Sequence, residues 1–463
     1  MPGTGQPDYQ GLADEFADRI AAGRLRPGER LPTQRAYARR RGIAPSTATR
    51  VYRELVRRGL VAGEVGRGTF VRAAPAAAGP ALAEPSPAPI DLELNYPVIP
   101  EQAALLAGAL GPLLRADALD HALRPIGVAG TAAARTRFAA LAADEGWTPA
   151  PESVLFTGNG RQAAAAALAA LVPRGGRLGV EALTYPGIQG LARQLGVTLV
   201  ALPMDERGVI PEALAAVHRA TPLRAVYLQP RSHNPLGLSM DAARRDEVVG
   251  VLRREDLCAV EDAVWSFLAP PDAAALAPAA PDRVVRIDSL SKRLAPGLSV
   301  GFLIAPPALH AELATAVRAG AALPGAFALE AAVRWLGDGT VERIRGGKRA
   351  DAAARQRLAR ACLDPAAAPG PAPRVHGPRP DARSHPQPYP CSYSYWWELP
   401  EPWRAETFVA AAARQGIAVT PGSAFAADPR STPRAVRIGL ASPPLDVLEH
   451  ALTTLARLRA AGP

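Results

Sequence analysis

The chain has 463 residues, 48% of them hydrophobic and 21% charged, which suits two or three domains with a sizeable core and excludes a disordered chain. The three cysteines, Cys258, Cys362 and Cys391, have no metal or disulfide spacing and point to a reducing compartment. The longest apolar run, Ala163 to Val172, lies between Arg161 and Arg174 and is far short of the ~20 residues of a membrane span. The first residues, with Asp8, Asp14 and Glu15, lack the apolar core of a signal peptide. A cytoplasmic protein that does not touch membrane is expected. The net charge of +10 is uneven, because residues 1–72 hold fourteen arginines against seven acids. Such a basic end on a nearly neutral body is either a polyanion-binding head or an arginine-rich solvated surface. Lysine occurs twice, as Lys292 and Lys348, against fifty-one arginines, so chemistry that needs a primary amine has two candidates.

Along the basic end, Leu12, Phe16 and Ile20 recur every four residues and predict an apolar helix face. Thr33 suits the N-cap of a second helix reaching Arg40 and closed by Gly42. Ser46 is expected to cap a third, with Val51 and Leu55 facing inward, and Gly59 to end it. Leu60-Val61, a Gly-rich turn and Thr69-Phe70-Val71 read as a hairpin. Three helices and a hairpin make a winged helix-turn-helix, expected over 8–72. The string LPTQRAYARRRGIAPSTATRVYRELVRRGL, followed by GRGTFV, resembles the GntR-type winged helix. That resemblance implies duplex DNA as partner, with the third helix in the major groove. It assigns DNA contacts to Ser46, Thr47 and Arg50 on that helix, Arg35 on the second and Arg67 on the wing, in keeping with the phosphate and guanine chemistry of hydroxyls and arginine. Pro45 stands where that family commonly has an arginine.

Residues 73–92, rich in alanine and proline, read as an extended linker. A second Pro-rich stretch, roughly 365–390, reads as a loop or insertion. Between and beyond them, strands are predicted at 153–157, 177–181, 198–202, 225–229, 257–261, 284–288 and 300–304, alternating with helical stretches. That pattern predicts an α/β fold with a large, mostly parallel sheet, whose ligands sit beyond the carboxyl ends of its strands.

The residues just after those strands converge on one chemistry. Gly158-Asn159-Gly160-Arg161 opens a helix and offers an anion cradle. Tyr185 offers a ring, Asn234 an amide, Asp262 a carboxylate, and Ser289-Leu290-Ser291-Lys292 hydroxyls and an amine. A cradle, a stacking ring, a carboxylate and a lysine together suit pyridoxal 5′-phosphate. Its aldehyde takes a lysine amine, and its pyridine nitrogen needs a carboxylate to stay protonated. Gly160, Arg161, Ser289 and Ser291 are the candidates for the phosphate. Lys348, in a charged RGGKR stretch with no strand before it, reads as surface.

The strings VEALTYPG, SHNPLGLSM, AVEDAVWSF, DSLSKRLAPGLSVGFLIAP, GIAVTPGSAF and VRIGLAS resemble the fold-type I aminotransferases. The resemblance implies an aminotransferase-like domain at 93–463 with a small α+β subdomain from about 340. It implies that Lys292 carries the internal aldimine, Asp262 pairs with the pyridine nitrogen, Asn234 bonds the phenolic oxygen and Tyr185 stacks on the ring. Arg437 is assigned the carboxylate of a substrate or effector, a task for a bidentate guanidinium. Three positions depart from that pattern: Trp265 stands for a usual tyrosine, Ser299 for the arginine that pairs with phosphate, and Ile126 for a tyrosine that reaches a partner subunit. Arg161 and Arg293 are the candidates to compensate for Ser299. The whole arrangement resembles the MocR/GabR-type regulators. It implies a homodimeric transcriptional regulator whose body senses a small amine or amino acid, with transamination itself, or a cofactor-free scaffold, as the rival readings.

Overall fold

The computed structural model describes residues 9–21, 24–25, 28–64, 68–71, 86, 88–144, 146–320, 322–364, 391–428, 430–431 and 433–462. Arg67, nearly all of the linker before residue 86 and the second Pro-rich stretch lie outside them. The chain divides into two compact units, one of Met1–Leu94, Trp396–Ile438 and Asp446–Pro463, the other of Asn95–Tyr395 and Gly439–Leu445.

The first unit begins with helices α1 (Tyr9–Ala21), α2 (Gln34–Arg41) and α3 (Pro45–Arg57), then an antiparallel hairpin of β1 (Val61–Glu64) and β2 (Gly68–Val71), with Val61 opposite Val71. Leu12, Phe16 and Ile20 bury the expected face of α1 against Tyr37, Val51, Tyr52 and Leu55. Phe16, Tyr37 and Tyr52 close on each other with centroids 5.0–6.1 Å apart, the geometry in which aromatic edges meet faces. Thr33 caps α2 as its sequence predicts, its hydroxyl accepting from the Ala36 amide at 3.2 Å. Gly42 closes α2 in the left-handed region at φ 63°. The expected cap at Ser46 is not formed. Extended Ala44 is the N-cap of α3, with no side-chain hydrogen bond, and Pro45 opens the helix because its fixed φ already matches a first turn. Ser46 is thereby left in that first turn, exposed. The rest of this unit contains the helices Ala405–Arg414 and Leu445–Ala461, and the strand pair Thr420–Pro421 and Ala435–Gly439, with Thr420 opposite Arg437.

The second unit is built on a seven-stranded sheet. Its strands are β3 (Val154–Thr157), β4 (Arg177–Glu181), β5 (Thr198–Leu202), β6 (Ala225–Leu228), β7 (Cys258–Asp262), β8 (Val284–Ser289) and β9 (Gly301–Ile304). All seven fall where short apolar runs predict them. The order is β3-β9-β8-β7-β6-β4-β5, parallel throughout except β9, which runs against both β8 and β3. Two apolar clusters enclose it, one around Phe138, Phe156, Phe302 and Trp335, the other around Leu214, Val226, Val248, Leu252 and Ala259.

Because six strands share a direction, β3, β4, β6, β7 and β8 finish at one edge, and the loops leaving them gather there. Helix α4 (Gly160–Leu171) starts beyond β3, and the single turn α5 (Leu290–Arg293) starts directly beyond β8. β9 begins at that same edge: Gly301 lies opposite both Ser289 and Thr157. A Cβ at Gly301 would fall 2.3 Å from the Asn159 carbonyl carbon and 2.4 Å from Thr157 Oγ1, so only glycine admits the loop Gly158-Asn159 at this distance. Gly301→Ala is expected to destabilise the protein by about 2–3 kcal/mol in denaturant unfolding, since one contact is with backbone that cannot swing aside.

Candidate functional site

Ser289 is the N-cap of α5; its hydroxyl accepts from the Ser291 amide at 3.3 Å and lies 2.6 Å from the Ser291 hydroxyl. The turn sends the Lys292 side chain to the main-chain oxygen of Asn95, to which Nζ donates at 2.7 Å. The amine also lies 4.3 Å from the Tyr96 ring centroid and 5.3 Å from that of Trp265, a setting that stabilises an ammonium by cation–π attraction. Asn95 and Tyr96 belong to no motif, and the sequence does not single them out.

Asp262, at the end of β7, accepts the Val264 amide at 3.0 Å and the hydroxyl of Tyr227. Burial pushes its carboxyl up to about 6, and the nearby charges of Asp288 and Glu181 push the same way against those two hydrogen bonds. Tyr227 is fully buried, and burial with the Asp262 charge beside it raises its phenol well above the ordinary value, so it serves Asp262 as a donor. It lies inside the apolar run AVYLQ, where a tyrosine passes for a core aromatic.

Asn234 follows β6. Its Oδ1 is buried without a hydrogen-bond partner among the described residues. It shares a cleft with Trp265, Ser392, Tyr393 and Ser394. Tyr185 ends the loop after β4 and is half-buried; its ring lies against Gly187, where any Cβ would meet it at 2.3 Å. At Gly160 a Cβ would come within 3.2 Å of Ser289 Oγ, which joins the start of α4 to the hydroxyl pair of α5. Asn159 caps that helix through the Gln162 amide at 3.1 Å. Arg161 is exposed. Lys292, Asp262, Asn234, Tyr185, Gly160, Ser289 and Ser291 thus all belong to the second unit and to the loops that leave one edge of its sheet.

Two readings of the sequence are corrected. Arg293 does not stand free to replace the arginine missing at Ser299: its guanidinium donates to Asp288 Oδ2 at 2.6 Å and to Ser266 Oγ at 3.2 Å, in a fully buried ion pair. Ser299 Oγ is buried without a partner among the described residues. Lys348 is not surface. It is completely buried in α6 (Thr340–Leu363), with Nζ donating to the main-chain oxygens of Lys292, at 2.9 Å, and of Leu294. Its surroundings in sequence are charged, but Val341, Ile344, Lys348, Ala352, Ala359 and Leu363 mark one buried helix face. That spacing is the signal by which the sequence could have revealed it.

Arg437 belongs to the first unit. It donates to the Glu93 main-chain oxygen at 2.6 Å and to Thr420 Oγ1 at 3.3 Å. The Glu93 carboxyl is pushed up to about 7 by burial and by Asp91, against the pull of Arg437. In the winged helix, Arg35, Ser46 and Arg50 are exposed and Thr47 is half-buried. Arg50 lies 5.0 Å from the Tyr9 ring centroid. Glu15 pairs with Arg41, while Asp14 and Glu54 pair with Arg58.

The residues at the sheet edge fit pyridoxal phosphate: a buried acid pushed by its surroundings toward a proton, an amide oxygen lacking a partner, and a glycine beside two hydroxyls where a Cβ would crowd the space.

The chain is similar to known proteins of two kinds. Residues 8–71 match the family of bacterial regulatory proteins of the gntR type. The chain is 30% identical over 304 residues to YdeF of Bacillus subtilis, an uncharacterised HTH-type transcriptional regulator, a match covering 65% of each chain. It is 27% identical over 360 residues to the HTH-type pyridoxine biosynthesis transcriptional regulator PdxR of Corynebacterium glutamicum, covering 72% of this chain and 73% of that one. Its structure is similar to LysN, an α-aminoadipate aminotransferase of Thermus thermophilus, with a TM-score of 0.68 and 22% identity over 80% of this chain and 92% of that one. The fold of the body is therefore that of a fold-type I aminotransferase. The N-terminal domain is therefore of the gntR type, and the chain as a whole is similar to HTH-type transcriptional regulators.

The buried acid has a measurable signature. The Asp262 carboxyl is raised from 3.8 to about 6 in the folded protein, so between those values the native state holds the proton more tightly. Its contribution to stability is fully present below pH 3.8 and is lost as pH rises through 6. In cofactor-free protein, Asp262→Asn is expected to flatten that fall and to raise stability at pH 7 by about 2–3 kcal/mol relative to its effect at pH 4, as measured by denaturant unfolding across pH.

Proposed function

We propose that the protein is a cytoplasmic, homodimeric transcriptional regulator that binds duplex DNA through α2 and α3 and binds pyridoxal 5′-phosphate through Lys292, sensing a small amine or amino acid there. The observation that carries this reading is the meeting of Lys292, Asp262 and Asn234 at one edge of the sheet in a chain with a GntR-type head. Asp262 would hold the pyridine nitrogen, Asn234 the phenolic oxygen, Tyr185 one face of the ring, and Gly160, Ser289 and Ser291 the phosphate. When bound, the cofactor supplies an electrophilic carbon for an amine and a ring that withdraws electrons.

The protein's own residues favour exchange of one amine for another. A lysine displaced by an effector has a place to go, because the Asn95 oxygen and the Tyr96 and Trp265 rings receive it as an ammonium. Trp265, with an indole N–H in place of a phenol, can donate but cannot serve as a phenolic base. An effector can shift the regulator only by its differential affinity for two states, commonly ~1–3 kcal/mol. The role carried in the name of PdxR, a regulator of pyridoxine biosynthesis, supports a link to this cofactor's chemistry.

The test is a gel-shift on the DNA upstream of the chain's own coding region, at stated salt, with and without cofactor and a panel of amines and amino acids. Wild-type protein is expected to gain an absorbance band near 400–430 nm with the cofactor, the range of a protein-bound Schiff base. Lys292→Ala should lack the band and the response to effector, yet keep its basal affinity for DNA. Arg35→Ala or Arg50→Ala should weaken DNA binding and lower the slope of log affinity against log salt by about 1. Multiple turnovers of keto acid would support transamination instead, and an effector response without any band would support a scaffold.

A further inference from the structure

A chain that writes its cations as arginine fifty-one times keeps lysine at two places, and the structure bonds one to the other. Lys348 reaches from α6 to the turn that carries Lys292. Nζ donates to the carbonyls of Lys292 and Leu294, the open end of α5, where a positive group satisfies acceptors that a helix leaves unpaired. Gln102 donates to the same Leu294 oxygen at 3.1 Å. The carbonyl of Lys348 accepts the Tyr393 hydroxyl at 3.0 Å, so the helix is held at the same level from the other side.

We infer that Lys348 is a positioning residue for Lys292, fixing the turn from which the reactive amine projects, and that it does so with a group able to gain or lose a proton. The inference rests on the reading of Lys292 as the amine that takes the cofactor. Arginine in this place would remain charged at all relevant pH values, whereas a buried lysine need not. Burial lowers the Lys348 ammonium to about 7, opposed by Asp351 one turn along. The charged and titratable groups facing it are few. Asp351 is paired with Arg355 at 2.8 Å and accepts the Tyr393 hydroxyl at 2.8 Å. From α5 come Lys292 itself and Arg293, the latter neutralised by Asp288. Below pH 7 the turn is held by an ammonium, above it by a neutral amine with weaker bonds, so the reactivity of Lys292 acquires a step that belongs to Lys348.

The scarcity of lysine makes this directly readable. Reductive methylation of the full, cofactor-free chain with formaldehyde and cyanoborohydride labels Lys292, Lys348 and the terminal amine, and mass spectrometry separates them. In wild type, Lys348 should react at least about tenfold more slowly than Lys292, the protection expected of a buried group. The Lys292 rate should bend near pH 7. Lys348→Met, checked for folding by circular dichroism, should lose the bend and change the Lys292 rate several-fold. Lys348→Arg keeps charge and donors, so it should keep more of the rate but also lose the bend. The inference fails if Lys348 reacts as fast as Lys292, or if the Lys292 profile of folded Lys348→Met superimposes on wild type. Should the Met variant not fold, a bend that survives in Lys348→Arg has the same force. No cofactor or DNA takes part, so this outcome is separate from the absorbance band and the gel-shift.

Discussion

A carboxylate at the closed end of β7 sets the demand that the rest of the site answers. Asp262 is taken out of water and sits where Asp288 and Glu181 add negative potential, which is why its proton is held so far above the ordinary range. One amide and one phenol donate to it, and two neutral donors offset only part of the cost of burying a charge. A cationic ring nitrogen would supply the missing term. The same logic applies to Asn234 and Ser299, whose buried side-chain oxygens have no hydrogen-bond partner among the described residues. Groups left in this state are costly in an ordinary core and are retained where something else completes them.

The topology explains how residues far apart in sequence come to share that demand. Parallel strands deliver their outgoing loops to one edge, so Tyr185, Asn234, Asp262 and Lys292 are brought together although more than a hundred residues separate the first from the last. The one strand that runs the other way, β9, enters at that edge rather than leaving it, and the entry point must be glycine because the loop ahead of α4 passes within contact of its Cα. A single turn of helix, α5, then suffices to aim Lys292, because the turn is fastened at its start by Ser289 and at its end by Lys348.

Much of this is legible in the sequence, for reasons that can be named. Strands buried on both sides are short apolar runs, and each is bounded by polar or glycine-rich loops, so all seven can be placed. The candidate site residues stand at the ends of those runs, where polarity has no packing explanation. The parts that stay hidden lack that contrast. Tyr227 sits inside an apolar strand and looks like any core aromatic. Asn95 offers its main-chain oxygen, which no side-chain pattern reports. Lys348 lies among charged neighbours whose side chains point elsewhere, and only the helical spacing of Val341, Ile344, Ala352, Ala359 and Leu363, at intervals of one or two turns, marks its face as the inner one. Ser46 has the chemistry of a cap but not the place of one, because Pro45 opens the helix without a capping hydroxyl.

The departures from an aminotransferase pattern then acquire a common sense. An enzyme that turns over needs its lysine back as a neutral base and its ring nitrogen firmly protonated. Here Lys292 donates to a carbonyl and faces two aromatic rings, which stabilise its charged form. Tyr227 donates to one oxygen of the carboxylate and so offsets part of the rise in proton affinity that burial imposes on it. The arginine that would have anchored the phosphate is a serine, and the neighbouring Arg293 is already bound to Asp288. On the proposed reading these changes would slow proton shuttling or loosen the cofactor, whereas amine exchange would need only a reachable carbon and a lysine that can leave. Under the proposed function, such a body would report which amine is present rather than complete a reaction, and a chain that also carries a winged helix would have a use for that report.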